Sequence, residues 1–454
     1  MSDTIAAIAT PQAPGGIGIV RISGNNARTI ADKVFVASGK TKLTESKGYT
    51  AHFGCVMDDG EKIDDAIALV FLSPKSYTGE DVVELQCHGG LYVIRNVLRA
   101  VLKKGARMAE AGEFTRRAFE NGKISLTQAE AVMDLISAQG RQAARAAISA
   151  MDGRLYTKIN AIKENLIGYS AHLSAWADYP EEDLIPVDRE ELSRNLRRTI
   201  CELNQMLSVS DTGKAIREGV ETVIVGKPNV GKSTLMNCLA GCERSIVTHI
   251  AGTTRDIVED KVILGDIVLR LADTAGIHST DDPVESIGVH RAMKKMQNAG
   301  LVIAVFDNSL PLDEDDFTLI ENLKGLHCVA VINKTDVDGK LDTSLLTDKI
   351  RKVVYISAKN ESGIEDLTAA VSDLLGISEL NPADGILSGE RQVNCCRKCL
   401  NMVEEAKTAL DGGITLDAVN ISIDCAIEYL LELTGEKVTE VVTDAVFHQF
   451  CVGK

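Results

Sequence analysis

The stretch Val223-Ile-Val-Gly226-Lys-Pro-Asn-Val-Gly-Lys-Ser-Thr234 decides the fold. An apolar strand from Thr222 to Val225 runs into a glycine-bounded turn, which opens a helix through Thr234, Leu235 and Asn237. Strand, glycine turn and helix in that order are the context a phosphate-binding loop requires. The glycines let the backbone N–H groups of Asn229, Val230 and Gly231 turn toward a phosphate, and Lys232 is long enough to reach terminal phosphate oxygens. Ser233 offers its hydroxyl to Mg²⁺, and Thr234 continues the first helical turn.

Three further strand-end loops follow. Leu271-Ala-Asp-Thr-Ala-Gly276 puts Asp273 near the Mg²⁺ water shell and Gly276 where its N–H can sense a terminal phosphate, with Thr274 and Ala275 between them. In Asn333-Lys334-Thr335-Asp336 the aspartate carboxylate can accept both N1–H and the 2-amino group of guanine, a pair that adenine does not offer. Ser357-Ala358-Lys359 is positioned to support the base through backbone N–H. Each loop alone is an ordinary turn, but four in this order predict a guanine-nucleotide site. Thr253-Thr254-Arg255-Asp256 falls where a switch segment belongs, making Thr254 a second hydroxyl ligand for Mg²⁺. After Gly276 stands Ile277, where a Ras-like enzyme has a water-orienting glutamine. Asp281, Asp282 and Glu285 follow; one reading is a carboxylate acting through an intervening water, the other a solvated acidic turn.

Working outward, residues 220–378 alternate apolar strands and helices, the pattern of a parallel sheet with right-handed crossovers. Before it, from Thr115 to about Thr212, and after a loop at 379–390, the periodicity is helical. The first ~120 residues alternate β-rich runs (17–24, 66–72, 82–90) with glycine turns and one helix, Leu91 to Lys104, giving an α+β domain. The predicted architecture is multidomain: an α+β domain at 1–118, an all-α domain at 119–215 plus 379–454, and an α/β nucleotide domain at 216–378 inserted into the helical one.

With 49 Lys+Arg against 65 Asp+Glu, the 454-residue chain carries a formal charge of −16, which excludes a broad cationic surface for nonspecific polyanion binding. Eleven cysteines lack framework spacing, and no apolar run approaches the ~20 residues that span a bilayer. A reduced, cytoplasmic protein is expected. Cys395-Cys396-Arg-Lys-Cys399 contains a Cys-x-x-Cys, but no second pair or histidine accompanies it, so a helix face is expected and not zinc.

The chain resembles the MnmE (TrmE) family of tRNA modification GTPases over essentially its whole length. The resemblance is carried by GGIGIVRISG at 15–24, YTGEDVVELQCHGG at 77–90, GEFTRRAFENGKISLTQAEAV at 112–132, the nucleotide motifs with IVTHIAGTTRD at 246–256, and Cys451-Val-Gly-Lys454. One departure is Ala13 in Pro11-Gln-Ala-Pro-Gly15-Gly16, where the family turn has glycine. The resemblance implies a GTPase that works with a flavin-dependent (FAD) partner, MnmG (GidA), in a heterotetramer. Together they would add a carboxymethylaminomethyl or aminomethyl group to C5 of the wobble uridine (U34) of certain tRNAs. It implies a one-carbon donor, 5-formyl- or methylene-tetrahydrofolate, held by Arg21, Glu84, Lys123 and Lys454. It implies K⁺ held by Asn229, Thr248, Ile250 and Thr253, and a nucleotide-binding segment that also includes His249, Ala251 and Gly252. Glu285 matches the family's hydrolytic carboxylate, and Cys451 would be a catalytic thiol. A homodimer joined through the N-terminal domains is implied too. A ribosome-assembly GTPase would share the nucleotide motifs but predicts a basic RNA-binding stripe, which this sequence lacks. A GTP-driven scaffold that does no chemistry has no need of a thiol in the tail.

Overall fold

The computed structural model describes residues 3–39, 41–178, 188–242, 260–271, 296–378, 381 and 384–454. Two compact units are formed: Met1–Met133 with Met151–Gly168 and Asp424–Lys454, and Asp134–Ala150 with Tyr169–Ile423.

In the first unit, strands β1 (Ile5–Ile8), β2 (Ile17–Ser23), β3 (Phe35–Ala37), β4 (Thr50–Asp58), β5 (Glu61–Phe71), β6 (Val82–His88) and β7 (Arg107–Met108) form one sheet, in the order β3-β4-β5-β6-β2-β1-β7. All neighbours are antiparallel except β1 and β7. Side chains alternate across a strand, so Val20, Ile22, Ala66, Ala68, Val70, Val83 and Leu85 share one face. There they are buried in one core with helices α1 (Ala27–Val34) and α2 (Leu91–Lys103). The same alternation puts Arg21, Glu84, Ile17, Ile67 and Phe53 on the other face, with Arg21 directly opposite Glu84 in the β2–β6 register. The expected strands and helix are present. The sequence reading passed over β1, whose four residues Ile-Ala-Ala-Ile are buried without alternation, and also β3, β4, β7 and α1.

Helix α3 (Glu113–Glu120) follows, and then α4 (Leu126–Ser137), α5 (Arg141–Met151) and α6 (Arg154–Asp178). Leu126, Ala129 and Val132 of α4, spaced to share one helical face, form a cluster with Phe447 and Phe450 at the end of the chain.

In the second unit, α7 (Arg189–Ser208) is capped by the Asp188 carboxylate, which accepts from the N–H groups of Glu190 and Glu191. After α8 (Ser210–Glu218) the chain builds a sheet from β8 (Val220–Val225), β9 (Asp260–Leu264), β10 (Ile267–Leu271), β11 (Leu301–Asp307), β12 (Cys328–Asn333) and β13 (Lys352–Tyr355), in the order β13-β12-β11-β8-β10-β9. The five strands β13 to β10 are parallel, as expected. The edge strand β9 was not; it runs antiparallel to β10, joined by the two-residue turn Gly265-Asp266 in which Gly265 has φ +62°. Strands β11 and β12 are buried at every residue, which explains their unbroken apolar runs. Helices α9 (Lys232–Cys242), α10 (Glu314–Asn322), α11 (Ser344–Thr347), α12 (Ile364–Leu374) and α13 (Glu390–Asp411) belong to this unit; α14 (Leu416–Thr434) has residues in both units, and α15 (Glu440–Phe447) belongs to the first. Among the described residues no helix is long and apolar enough to cross a membrane.

Candidate functional site

Parallel strands deliver the loops after β8, β12 and β13 to one edge of the sheet, which is where α/β proteins bind their ligands. The loop after β8 makes a tight approach to the sheet. Gly226 has φ +142°, and a Cβ there would stand 2.4 Å from the Val305 carbonyl; Gly231 has φ +98°, and its Cβ would stand 2.2 Å from Asn333 Nδ2. Only glycine allows both contacts. Asn229 between them also adopts a left-handed conformation, φ +65°. Val230 is buried, whereas Asn229, Ser233 and Thr234 are exposed at the start of α9, whose first N–H groups have no helical partner. Lys232 Nζ donates to the carbonyls of Gly226 and Lys227, both at 2.7 Å. Burial holds its pKa below the usual lysine range. Among the described residues no carboxylate pairs with this ammonium.

Asn333 ties the three loops together. Only 2 % exposed, it donates from Nδ2 to the Val230 carbonyl (2.9 Å) and accepts the Ala358 N–H at Oδ1 (3.0 Å). Ser357 Oγ donates to Asp336 Oδ1 at 2.7 Å, and that hydroxyl is the main reason the exposed carboxyl sits below its ordinary range. Asp336 is therefore oriented and ionised, with a second oxygen outside this bond. Lys334, at φ +64°, pairs with Asp307 at 2.5 Å, anchoring the loop to the end of β11, and the Thr335 N–H donates to the Ile356 carbonyl. The Lys334–Asp307 pair and the structural use of Asn333 were missed in the sequence, where Asp307 reads only as the end of an apolar strand. Lys359 lies at the exposed end of the third loop. Thr248, His249, Ile250, Ala251, Gly252, Thr253, Thr254, Asp273, Thr274, Ala275, Gly276 and Glu285 lie outside the described residues.

A second constellation forms in the first unit. Arg21 Nε donates to Glu84 Oε1 at 2.8 Å, and its guanidinium carbon lies 5.8 Å from the Tyr77 ring centroid and 5.6 Å from that of Phe114. The chain's last residues come to this place. Val452 bridges to Ala111, the Gly112 N–H donates to the Cys451 carbonyl (3.5 Å), and the Phe114 N–H donates to that of Lys454 (3.2 Å). Gly453, with φ +104°, approaches β1 so closely that a Cβ would meet the Ile8 carbonyl at 2.3 Å. Lys454 is half-buried; burial and the Arg21 charge lower its pKa, and Glu84 opposes them. The Cys451 side chain is exposed. Arg21, Glu84 and Lys454 are thus brought together. Lys123 instead donates to the Pro74 carbonyl at 3.0 Å, in the loop that carries Tyr77. Tyr77 and Phe114 fall in the stretches 77–90 and 112–132, but no spacing announces that they flank Arg21.

Cys395, Cys396 and Cys399 are buried in α13, and burial pushes the Cys396 thiol up to about 12. Among the described residues no group of His, Cys, Asp and Glu is arranged to hold a metal ion.

A family profile described as "MnmE helical domain" matches residues 126–451, and one described as "GTP-binding protein TrmE N-terminus" matches residues 4–123. Along its whole length the chain is 41% identical to a protein of Geobacillus kaustophilus and 41% identical to one of Acetivibrio thermocellus, covering 99% of each. It is 39% identical to a protein of Lachnoclostridium phytofermentans, covering 100% of it. All three relatives are described as tRNA modification GTPase MnmE.

Proposed function

The chain belongs to the MnmE family of tRNA modification GTPases, and from that membership we propose how its residues divide the work. Its enzymatic activity is GTP hydrolysis. Asp336 selects guanine, Asn333 holds the base-reading loops to the phosphate loop, and the N–H groups at the start of α9 with Lys232 bind the phosphates. The observation that carries this reading is the pair of Asn333 bonds to Val230 and Ala358, which fixes the guanine-reading loop at a set place relative to the phosphate cradle. The cradle suits a polyphosphate: two glycines that no other residue can replace and an ammonium that, among the described residues, has no carboxylate partner. Ser233 and Thr254 would hold Mg²⁺, a hard cation suited to hydroxyl and phosphate oxygens. Asn229, Thr248, Ile250 and Thr253 would hold K⁺. That cation would offset charge that develops between the β- and γ-phosphates. Glu285 is proposed to orient the attacking water.

In the first unit, Arg21, Glu84, Lys123 and Lys454 are proposed to bind a tetrahydrofolate carrying the one-carbon unit, in the 5-formyl or methylene form. Two cations and a carboxylate within one cluster suit a pterin ring and a glutamate tail. With an FAD-carrying MnmG-type partner, the chain would place a carboxymethylaminomethyl or aminomethyl group on C5 of U34 in certain tRNAs, in the cytoplasm. A homodimer is supported by the sheet face opposite α1 and α2, which leaves Ile17 65%, Phe53 62% and Val36 55% exposed. The occupant proposed for that face is a second copy of the chain. Mass spectrometry of wobble uridines tests the assignment: cells lacking this protein should lose the modified nucleoside and regain it on complementation. An unchanged nucleoside profile in the deleted cells would sink it.

A further inference from the structure

Arg21, proposed above to face the folate, also has partners within the protein. Its side chain is 16% exposed, Nε–H is engaged by Glu84, and Nη1 donates to the backbone carbonyl of Gly453 at 3.3 Å. Aromatic rings of Tyr77 and Phe114 flank it. That carbonyl belongs to the middle of a segment stitched down on both sides, through Cys451 to Gly112 and through Lys454 to Phe114. Among the described residues, Arg21 makes the only side-chain hydrogen bond to residues 451–454. The planar fork matters, because one rigid group reaches a carboxylate across the sheet and a carbonyl of the tail at once.

We propose that Arg21 is a positioning residue that clamps the 451–454 tail onto the first unit, so that it sets the place of Cys451 and Lys454 by holding Gly453. Gly453 has the matching feature: its left-handed backbone and its closeness to Ile8 turn its carbonyl toward Arg21 and exclude any side chain. The consequence for tRNA modification rests on the pocket reading given above; the clamp itself does not.

The test is hydrogen–deuterium exchange in the full-length protein without added ligand, followed on the peptide spanning residues 111–116. The Phe114 amide there is protected by the Lys454 carbonyl, so release of the tail exposes it. Arg21→Gln should speed exchange of this peptide by about tenfold or more, and Gly453→Ala should do the same while leaving Arg21 in place. Glu84→Gln removes the carboxylate and keeps the donor to Gly453, so its exchange should stay within about twofold of wild type. Wild-type protection in Arg21→Gln overturns the clamp. Equal acceleration in Arg21→Gln and Glu84→Gln also overturns it, since the ion pair and not the tail contact would then be responsible. If Arg21→Gln does not fold, Arg21→Met, which fills similar space and carries no donor, is read by the same criteria. Folate affinity of the wild-type protein, measured separately, bears on the pocket reading alone: absence of binding would remove that reading and leave the exchange result standing.

Discussion

Asn333 and Asp336 belong to one loop and differ in burial and in partners. Asp336 is exposed, and its partner Ser357 supplies a single bond, so replacing it disturbs little of the fold. Asp336→Asn removes the ionised acceptor proposed for guanine's two donors and should weaken GTP binding roughly tenfold to a hundredfold. Xanthosine triphosphate should gain in relative affinity. Competition binding with the two nucleotides checks this, and an equal loss for both would contradict base reading by this loop. Asn333→Ala should behave differently, because it strands a buried carbonyl at Val230 and a buried N–H at Ala358. Unpaired buried groups cost about 1–3 kcal/mol each. The variant should therefore lose affinity for both nucleotides alike and melt several degrees earlier, which calorimetry can measure. The sequence singled out Asp336 through its motif, and the structure gives that carboxylate a hydrogen bond from Ser357. Asn333 was legible only as a motif member; that its amide joins three loops depends on how parallel strands align, which no single motif states.

At the scale of elements, fully buried strands and long amphipathic helices were the easiest to read, because apolar runs and 3.6-residue periodicity are strong signals. Strands β1 and β9 were not read. The first is too short for any periodicity, and the second pairs through a hairpin turn inside a stretch whose neighbours suggested crossovers. The cysteines of α13 were legible from what accompanied them: three thiols on one helix without a second ligand pair describe a packed face. A test follows from burial. Cys328 and Cys396 are both pushed up to about 12 and Cys399 is raised as well, each by burial, whereas Cys201 and Cys451 are exposed. Because the thiolate is the reactive form, iodoacetamide at pH ~8 should modify Cys201 and Cys451 in the native protein. Cys328, Cys396 and Cys399 should react only after denaturation, as peptide mass spectrometry would show. Rapid native labelling of the α13 thiols would mean that the helix is not packed as described.

For the whole molecule, the decisive feature is that the residues proposed for GTP hydrolysis and those proposed for one-carbon chemistry lie in different compact units. The grouping of Arg21 and Glu84 with the tail was suggested only by family resemblance, since nothing in composition or spacing joins Arg21 to residues more than 400 positions later; the structure joins them by docking the tail. Phe447 and Phe450 are buried against α4, which accounts for the docking in terms of apolar surface, while Cys451 itself remains exposed. A buried cysteine would serve packing, and its replacement would act through stability. An exposed one has little packing to lose. Cys451→Ser keeps the shape and removes the thiol proposed to act in modification, so it should leave GTP hydrolysis and melting temperature near wild type. Modified wobble uridine should then fall to background in cells carrying only this variant. Wild-type levels of the modified nucleoside in those cells would show that the thiol does no chemistry. Loss of GTP hydrolysis together with modification would show instead that the two activities cannot be separated along the chain.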